Sequence, residues 1–166
     1  MTGSKEISNE DIKQIISSQK SFTWVVESMK TSFFESLMKE WWYIAIRKNK
    51  KGDLLTSIYV APLVVKDPNY RDKKVFKIGW LLANKNVWTP EEVFKASCQV
   101  MKDALDYVNK KDYVTVMRSK NDFVWTLAMR NGFIKIDDFS GKYKSLYDEY
   151  IKDTTIQWST FYILEK

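Results

Sequence analysis

The chain has 166 residues, 45% of them apolar and 15% aromatic, so it can bury a sizeable core and is not disordered. Histidine is absent and Cys98 is the single cysteine. That excludes Ser-His-Asp triads, Cys-His dyads, His-ligated metals and intramolecular disulfides.

The formal charge of +6 permits contact with nucleic acid, phosphorylated ligands or acidic partners, although the lysines are scattered and often sit beside acids. No apolar run approaches the ~18 residues of a membrane span, and Met1 to Asp11 lacks the apolar stretch of a signal peptide. The expectation is one domain over residues 1–166, cytoplasmic and reducing surroundings, and no membrane partner.

In chain order, Ile7 to Ile12 reads as a helix start. Ser8 caps it, Asp11 reciprocates, and Ile7 and Ile12 are spaced as a hydrophobic staple. Ile12, Ile15 and Ile16 continue one apolar face, and a second helix includes Phe33, Phe34, Leu37 and Met38. Trp41 to Ile46 reads as a strand, with Lys50-Lys51-Gly52-Asp53 as a hairpin turn. Leu54 to Val65 is a second strand, which Pro62 ends or bulges. Asp67 to Lys74 is a charged loop, and Val75 to Ala83 a third strand. Three successive strands imply an antiparallel meander.

Thr89-Pro90-Glu91-Glu92 is a strong helix start. Thr89 caps, Pro90 fits the first helical position and Glu92 completes a capping box. Val93, Ala96, Ser97, Val100, Met101, Ala104, Leu105 and Val108 follow at helical spacing. Cys98 lies near that apolar edge and reads as a passive thiol. Tyr113 to Met117 is the next strand, then a helix from Asn121, then strands over Ile134 to Phe139 and Thr155 to Leu164. The order is helix, helix, three strands, helix, strand, helix, two strands.

Asn121 opens a short helix, Gly132-Phe133 ends it, and Ile134-Lys135-Ile136 follows. With the element order, this register resembles the GNAT-type N-acetyltransferases. The resemblance implies an α+β, three-layer fold with a central mixed, mostly antiparallel sheet and helices on both faces. In that family two neighbouring parallel strands splay, and acetyl-CoA lies in the opening. The matching strands are Val75–Ala83 and Tyr113–Met117. Backbone groups near Gly79, Trp80, Leu81 and Leu82 would then bond the pantetheine arm. Asn121 would contact CoA or serve only as a helix cap.

The family's glycine-rich diphosphate loop has no counterpart, because Asn84 to Ser97 contains no glycine. Glu91 or Glu92 falls where a basic or amide residue belongs, and Phe94 or Lys95 where a glycine belongs. Lys85 and Lys95 would have to compensate. The family's catalytic tyrosine falls at Ala128, which has no proton to give. Tyr143, Tyr147 or a loop aspartate would have to replace it, and Val75–Ala83 carries no carboxylate base.

Three functions compete on these residues. The first is a GNAT-like protein with a degenerate acetyl-CoA site and no cofactor, acting as a non-catalytic binding or assembly protein. Its composition is similar to that of phage-encoded accessory or virion-associated proteins, placing it in host cytoplasm or virion with another protein as partner. Trp41, Trp42 and Tyr43, with Phe22 and Trp24, supply either core or interface anchors. The second is a divergent acetyl-CoA-dependent N-acyltransferase acting on an amine, working mainly by positioning. The third is a nucleic-acid binder using Arg47, Lys48, Lys50 and Lys51, with Lys73, Lys74 and Lys77 near them.

Overall fold

The computed structural model describes residues 8–11, 13–14, 43–83, 89–108, 113–119, 122–137, 141–151 and 160–165. The expected Ile7–Ile12 staple, the Phe33–Met38 helix, the tryptophans at 24, 41 and 42, and Lys85 and Asn121 lie outside them. Residues 9–11 and 13–14 are helical. Their start is the expected reciprocal cap: Ser8 N–H donates to Asp11 Oδ2 at 3.2 Å, and Asp11 N–H to Ser8 Oγ at 3.1 Å.

Six strands and three longer helices follow. They are β1 (Tyr43–Lys48), β2 (Leu54–Pro62), β3 (Lys74–Ala83), α1 (Pro90–Val108), β4 (Tyr113–Ser119), α2 (Asp122–Arg130), β5 (Ile134–Ile136), α3 (Lys144–Ile151) and β6 (Thr160–Glu165). The strands are hydrogen-bonded in the order β1-β2-β3-β4-β6-β5. β3 and β4 are parallel, while β1/β2, β4/β6 and β5/β6 are antiparallel, which gives the expected mixed sheet. Backbone contacts group the chain into two compact units, residues 1–60 with 80–107 and residues 61–79 with 108–166.

In the first unit, β1 and β2 form the expected hairpin. Asn49 organises its turn, accepting through Oδ1 from the N–H groups of Lys51 and Asp53, each at 2.9 Å. Gly52 takes φ +87°, a left-handed conformation that other residues adopt only with strain. Residues Leu54 to Ile58 are all buried, so β2 is covered on both faces. α1 buries Val93, Ala96, Val100, Met101 and Ala104, the stripe read from the sequence. It lies along the face of β1 that carries Tyr43 and Arg47. Tyr43 stacks on Tyr107 with ring centroids 4.4 Å apart, and Arg47 Nε donates to Gln99 Oε1 at 3.1 Å. The Arg47 guanidinium also pairs with Asp103.

In the second unit, Leu146 and Tyr150 of α3 pack with Phe161 and Ile163 of β6, Val75 of β3, Ile136 and Tyr70. The sequence reading missed α3, and it missed the 3-10 turn Pro68–Tyr70 inside the charged loop. That turn exists to bury Tyr70, which is only 5% exposed. Pro62 ends β2 outright, since it has no N–H for the ladder. β5 stops at Ile136, earlier than expected. Its Ile134 and Lys135 are exposed, and Lys135 pairs with Asp137 at 3.3 Å.

α2 ends in a Schellman motif. Phe133 N–H donates to Ala128 O at 3.0 Å, and Gly132 N–H to Met129 O at 3.2 Å, with Gly132 at φ +84°. The structural reading of Gly132 and the buried Phe133 both follow from that turn.

Candidate functional site

The parallel ladder runs from Lys74↔Tyr113 to Ile78↔Met117 and stops there. β3 continues through Gly79, Trp80, Leu81 and Leu82 to Ala83 without further pairing to β4 among the described residues. β4 continues to Ser119, still paired on its other side to β6 through Arg118↔Phe161 and Ser119↔Thr160. The stretch named for the pantetheine arm therefore begins where the ladder ends. Gly79 is half-buried, and among the described residues only Gly52 and Gly132 have positive φ.

The start of α1 is where a diphosphate would be held. Glu92 N–H donates to Thr89 Oγ1 at 3.3 Å, and Thr89 N–H to Glu92 Oε2 at 3.0 Å. The Thr89 hydroxyl also donates to Glu92 Oε2, at 3.3 Å. Val93 N–H reaches Thr89 O at 3.2 Å, and Pro90 has no N–H at all. Of the first-turn amides, Glu91 N–H alone is uncommitted. Both carboxylates sit at the positive end of the helix dipole, where they are stabilised and repel a further anion. Lys95, the expected compensating cation, pairs with Glu91 at 3.4 Å and is exposed.

Ala128 is the position the sequence reading matched to the family's tyrosine. Ala128 is fully buried, and its carbonyl accepts from both Asn131 N–H (3.1 Å) and Phe133 N–H (3.0 Å). Of the two substitute tyrosines, Tyr143 donates to Glu165 Oε2 at 3.0 Å. Glu165 pairs in register with Val114, near the first rung of the β3–β4 ladder. The ladder's open end lies beyond Met117, roughly 10 Å further along β4. Tyr147 is half-buried, edge-on to Phe161 with centroids 5.6 Å apart, within the α3 core.

A cluster that sequence spacing could not reveal surrounds Glu165. Its Oε1 meets Lys73 Nζ at 2.5 Å, and its Oε2 meets Lys142 Nζ at 3.0 Å as well as Tyr143. The Lys73 ammonium, against partial burial and with help from Lys142 and Tyr143, holds the Glu165 carboxyl down to about 2. Burial, then the Glu165 charge, pushes the Tyr143 and Tyr70 phenols up.

The basic hairpin is partly neutralised. Arg47 is held by Asp103, and Lys48 Nζ meets Asp11 Oδ1 at 2.5 Å. Burial raises the Asp11 carboxyl, but Lys48 and Ser8 outweigh it and keep it below the usual range. Lys50 and Lys51 remain exposed.

No family model matches the chain, and no curated protein matches it in sequence. Solved structures do match in three dimensions. The chain superposes on an acetyltransferase of the GNAT family from Staphylococcus aureus Mu50 with a TM-score of 0.59 and 11% identity, covering 96% of this chain and 95% of that one. The fold is that of the GNAT acetyltransferases. Arabidopsis thaliana NAA60, in complex with a bisubstrate analogue, gives 0.58 at 10% identity, covering 96% of this chain and 94% of that one. A chain of the NatC complex bound to Gag peptide and CoA gives 0.63 at 15% identity, with 96% and 92% covered. Among the described residues, no helix is long and apolar enough to cross a membrane.

Proposed function

We propose that this chain is a GNAT-fold binding or assembly protein that does not transfer acetyl groups. The observation carrying this reading is the start of α1. There Thr89 and Glu92 satisfy one another, Pro90 offers no donor, and two carboxylates occupy the anion position. Buried Ala128 at the tyrosine position supports the same reading. The partner is another protein. One neighbour of the same fold is a chain of a complex bound to a peptide and CoA; the present reading gives this chain a protein-binding role without the cofactor. A phage-encoded accessory or virion-associated protein is the setting its Lys-rich composition supports.

Calorimetry with acetyl-CoA at near-physiological salt, with desulfo-CoA as control, tests this. No heat of binding is expected at millimolar ligand. Saturable micromolar binding would overturn the reading.

One observation favours a second reading, a divergent N-acyltransferase. The β3–β4 ladder ends at Ile78↔Met117, as a pantetheine site requires. Micromolar acetyl-CoA binding in the same experiment would support it.

A further inference from the structure

Past Pro62 the chain runs from Leu63 to Asp67 along a cavity of about 310 Å³. Leu63, Val65 and Asp67 are half-buried, while Val64 and Lys66 are exposed, the alternation of an extended segment. The inward residues are fixed. Leu63 and Val65 pack on the α3 cluster, and Leu63 N–H donates to Val75 O at 2.8 Å. Asp67 accepts from Asn69 N–H at 2.9 Å and from the Ser145 hydroxyl at 2.7 Å.

The outward side has no such partners. Among the described residues, the backbone N–H and C=O groups of Val64, Val65 and Lys66 make no hydrogen bond. Consecutive residues of an extended chain point these groups to opposite edges. Leu63 points to β3, so Val64 points away from it. The Val64 side chain is 79% exposed, a large apolar surface beside open backbone.

The charges have one sense. Lys66, Arg71 and Lys73 line the cavity against a single lining carboxylate, Asp67. Lys73 is held by Glu165. The Lys66 and Arg71 side chains make no ion pair among the described residues, and exposed Asp72 follows Arg71 in the chain.

We propose that this edge docks an extended acidic peptide segment of a partner protein, which adds as a short strand along Val64 and sets carboxylates against Lys66 and Arg71. Open main-chain groups supply affinity, and alternate side chains supply specificity. The Arg71 guanidinium can grip a carboxylate through two parallel N–H bonds. The proposal rests on the protein-binding reading above and names the partner's chemistry. The edge lies toward the Lys74↔Tyr113 end of the ladder, away from Gly79.

Fluorescence anisotropy on the full chain tests it, with a labelled Val-Thr-Glu-Thr-Val-Thr-Glu peptide and its lysine-for-glutamate counterpart. Positions two apart share a face, so a valine can meet Val64 while a glutamate meets Lys66. Saturable binding of the glutamate peptide alone is expected. The double variant Lys66→Glu/Arg71→Glu should bind roughly tenfold more weakly. Val64→Pro, which deletes an N–H that is free in the unbound protein, should weaken binding too; thermal melts should show both variants folded.

The proposal is overturned by no binding, by equal binding of the lysine peptide, or by undiminished binding to the double variant. Full displacement by inorganic phosphate would mean a simple anion site and overturn it. So would a dimer that the double variant dissolves and the peptide cannot disrupt, which would assign the edge to a second copy. Acetyl transfer, assayed on the same preparation, would remove the non-catalytic reading while the peptide result stood or fell alone.

Discussion

Glu165 joins three donors that come from distant parts of the second unit, Lys73, Lys142 and Tyr143. Its carboxyl titrates at about 2 in the folded chain, against an ordinary value of 4.5. A carboxyl lowered by folding stabilises fully above its unfolded value, and that stability is lost as pH falls toward the folded one. The group is 21% exposed and Lys142 is more open, so solvent screens part of the effect. Glu165→Gln should therefore lower the unfolding free energy by about 1–3 kcal/mol at pH 7. Urea melts should show that gap closing as pH approaches 2; an equal gap at both pH values would sink the account. Ala128 is the other decisive residue. The residue is fully buried, so a phenol there would have to displace its neighbours. Ala128→Tyr should cost roughly 1–3 kcal/mol and restore no acetyl transfer to a lysine peptide. A stable variant that gained activity would show that the site is otherwise intact.

At the scale of elements, the local caps were legible and the distant contacts were not. Thr89/Glu92 and Ser8/Asp11 are each three residues apart, and the bonds expected from sequence are present. Thr89→Ala should destabilise α1 by about 1 kcal/mol, read as a lower urea midpoint. An unchanged midpoint would mean the cap contributes nothing to the fold. α3 escaped the sequence because it has no capping side chain. Tyr143 stands before Lys144, and the first turn is closed by backbone bonds to the Gly141 and Tyr143 carbonyls. Its apolar pair, Leu146 and Tyr150, is too short a run to separate from a polar loop. The Lys73–Glu165 bond spans 92 residues, a distance over which spacing carries no signal. The reading of the candidate site rested on single positions, the glycine-free stretch Asn84 to Ser97 and Ala128, because residue identity is visible in a sequence where distant contacts are not.

At the scale of the whole molecule, sheet order and parallel register agree with the GNAT fold at identities of 10–15% for the structures compared. A fold at that distance survives on pattern, namely where strands pair and which face is apolar. Chemistry depends on a few side chains, which a shared fold does not fix. The same sheet ends in β5, a strand of three residues with Lys135 at its centre. A longer, flatter, uncharged border would offer its open amides to a neighbouring molecule, and filaments grow that way. Here an incoming strand would gain few hydrogen bonds and would have to cover an ammonium that Asp137 keeps in place. Lys135→Val should therefore leave the melting curve near its wild-type position while light scattering rises in concentrated solution. The small charged border of this sheet would then set how much of the protein a cell can hold in solution.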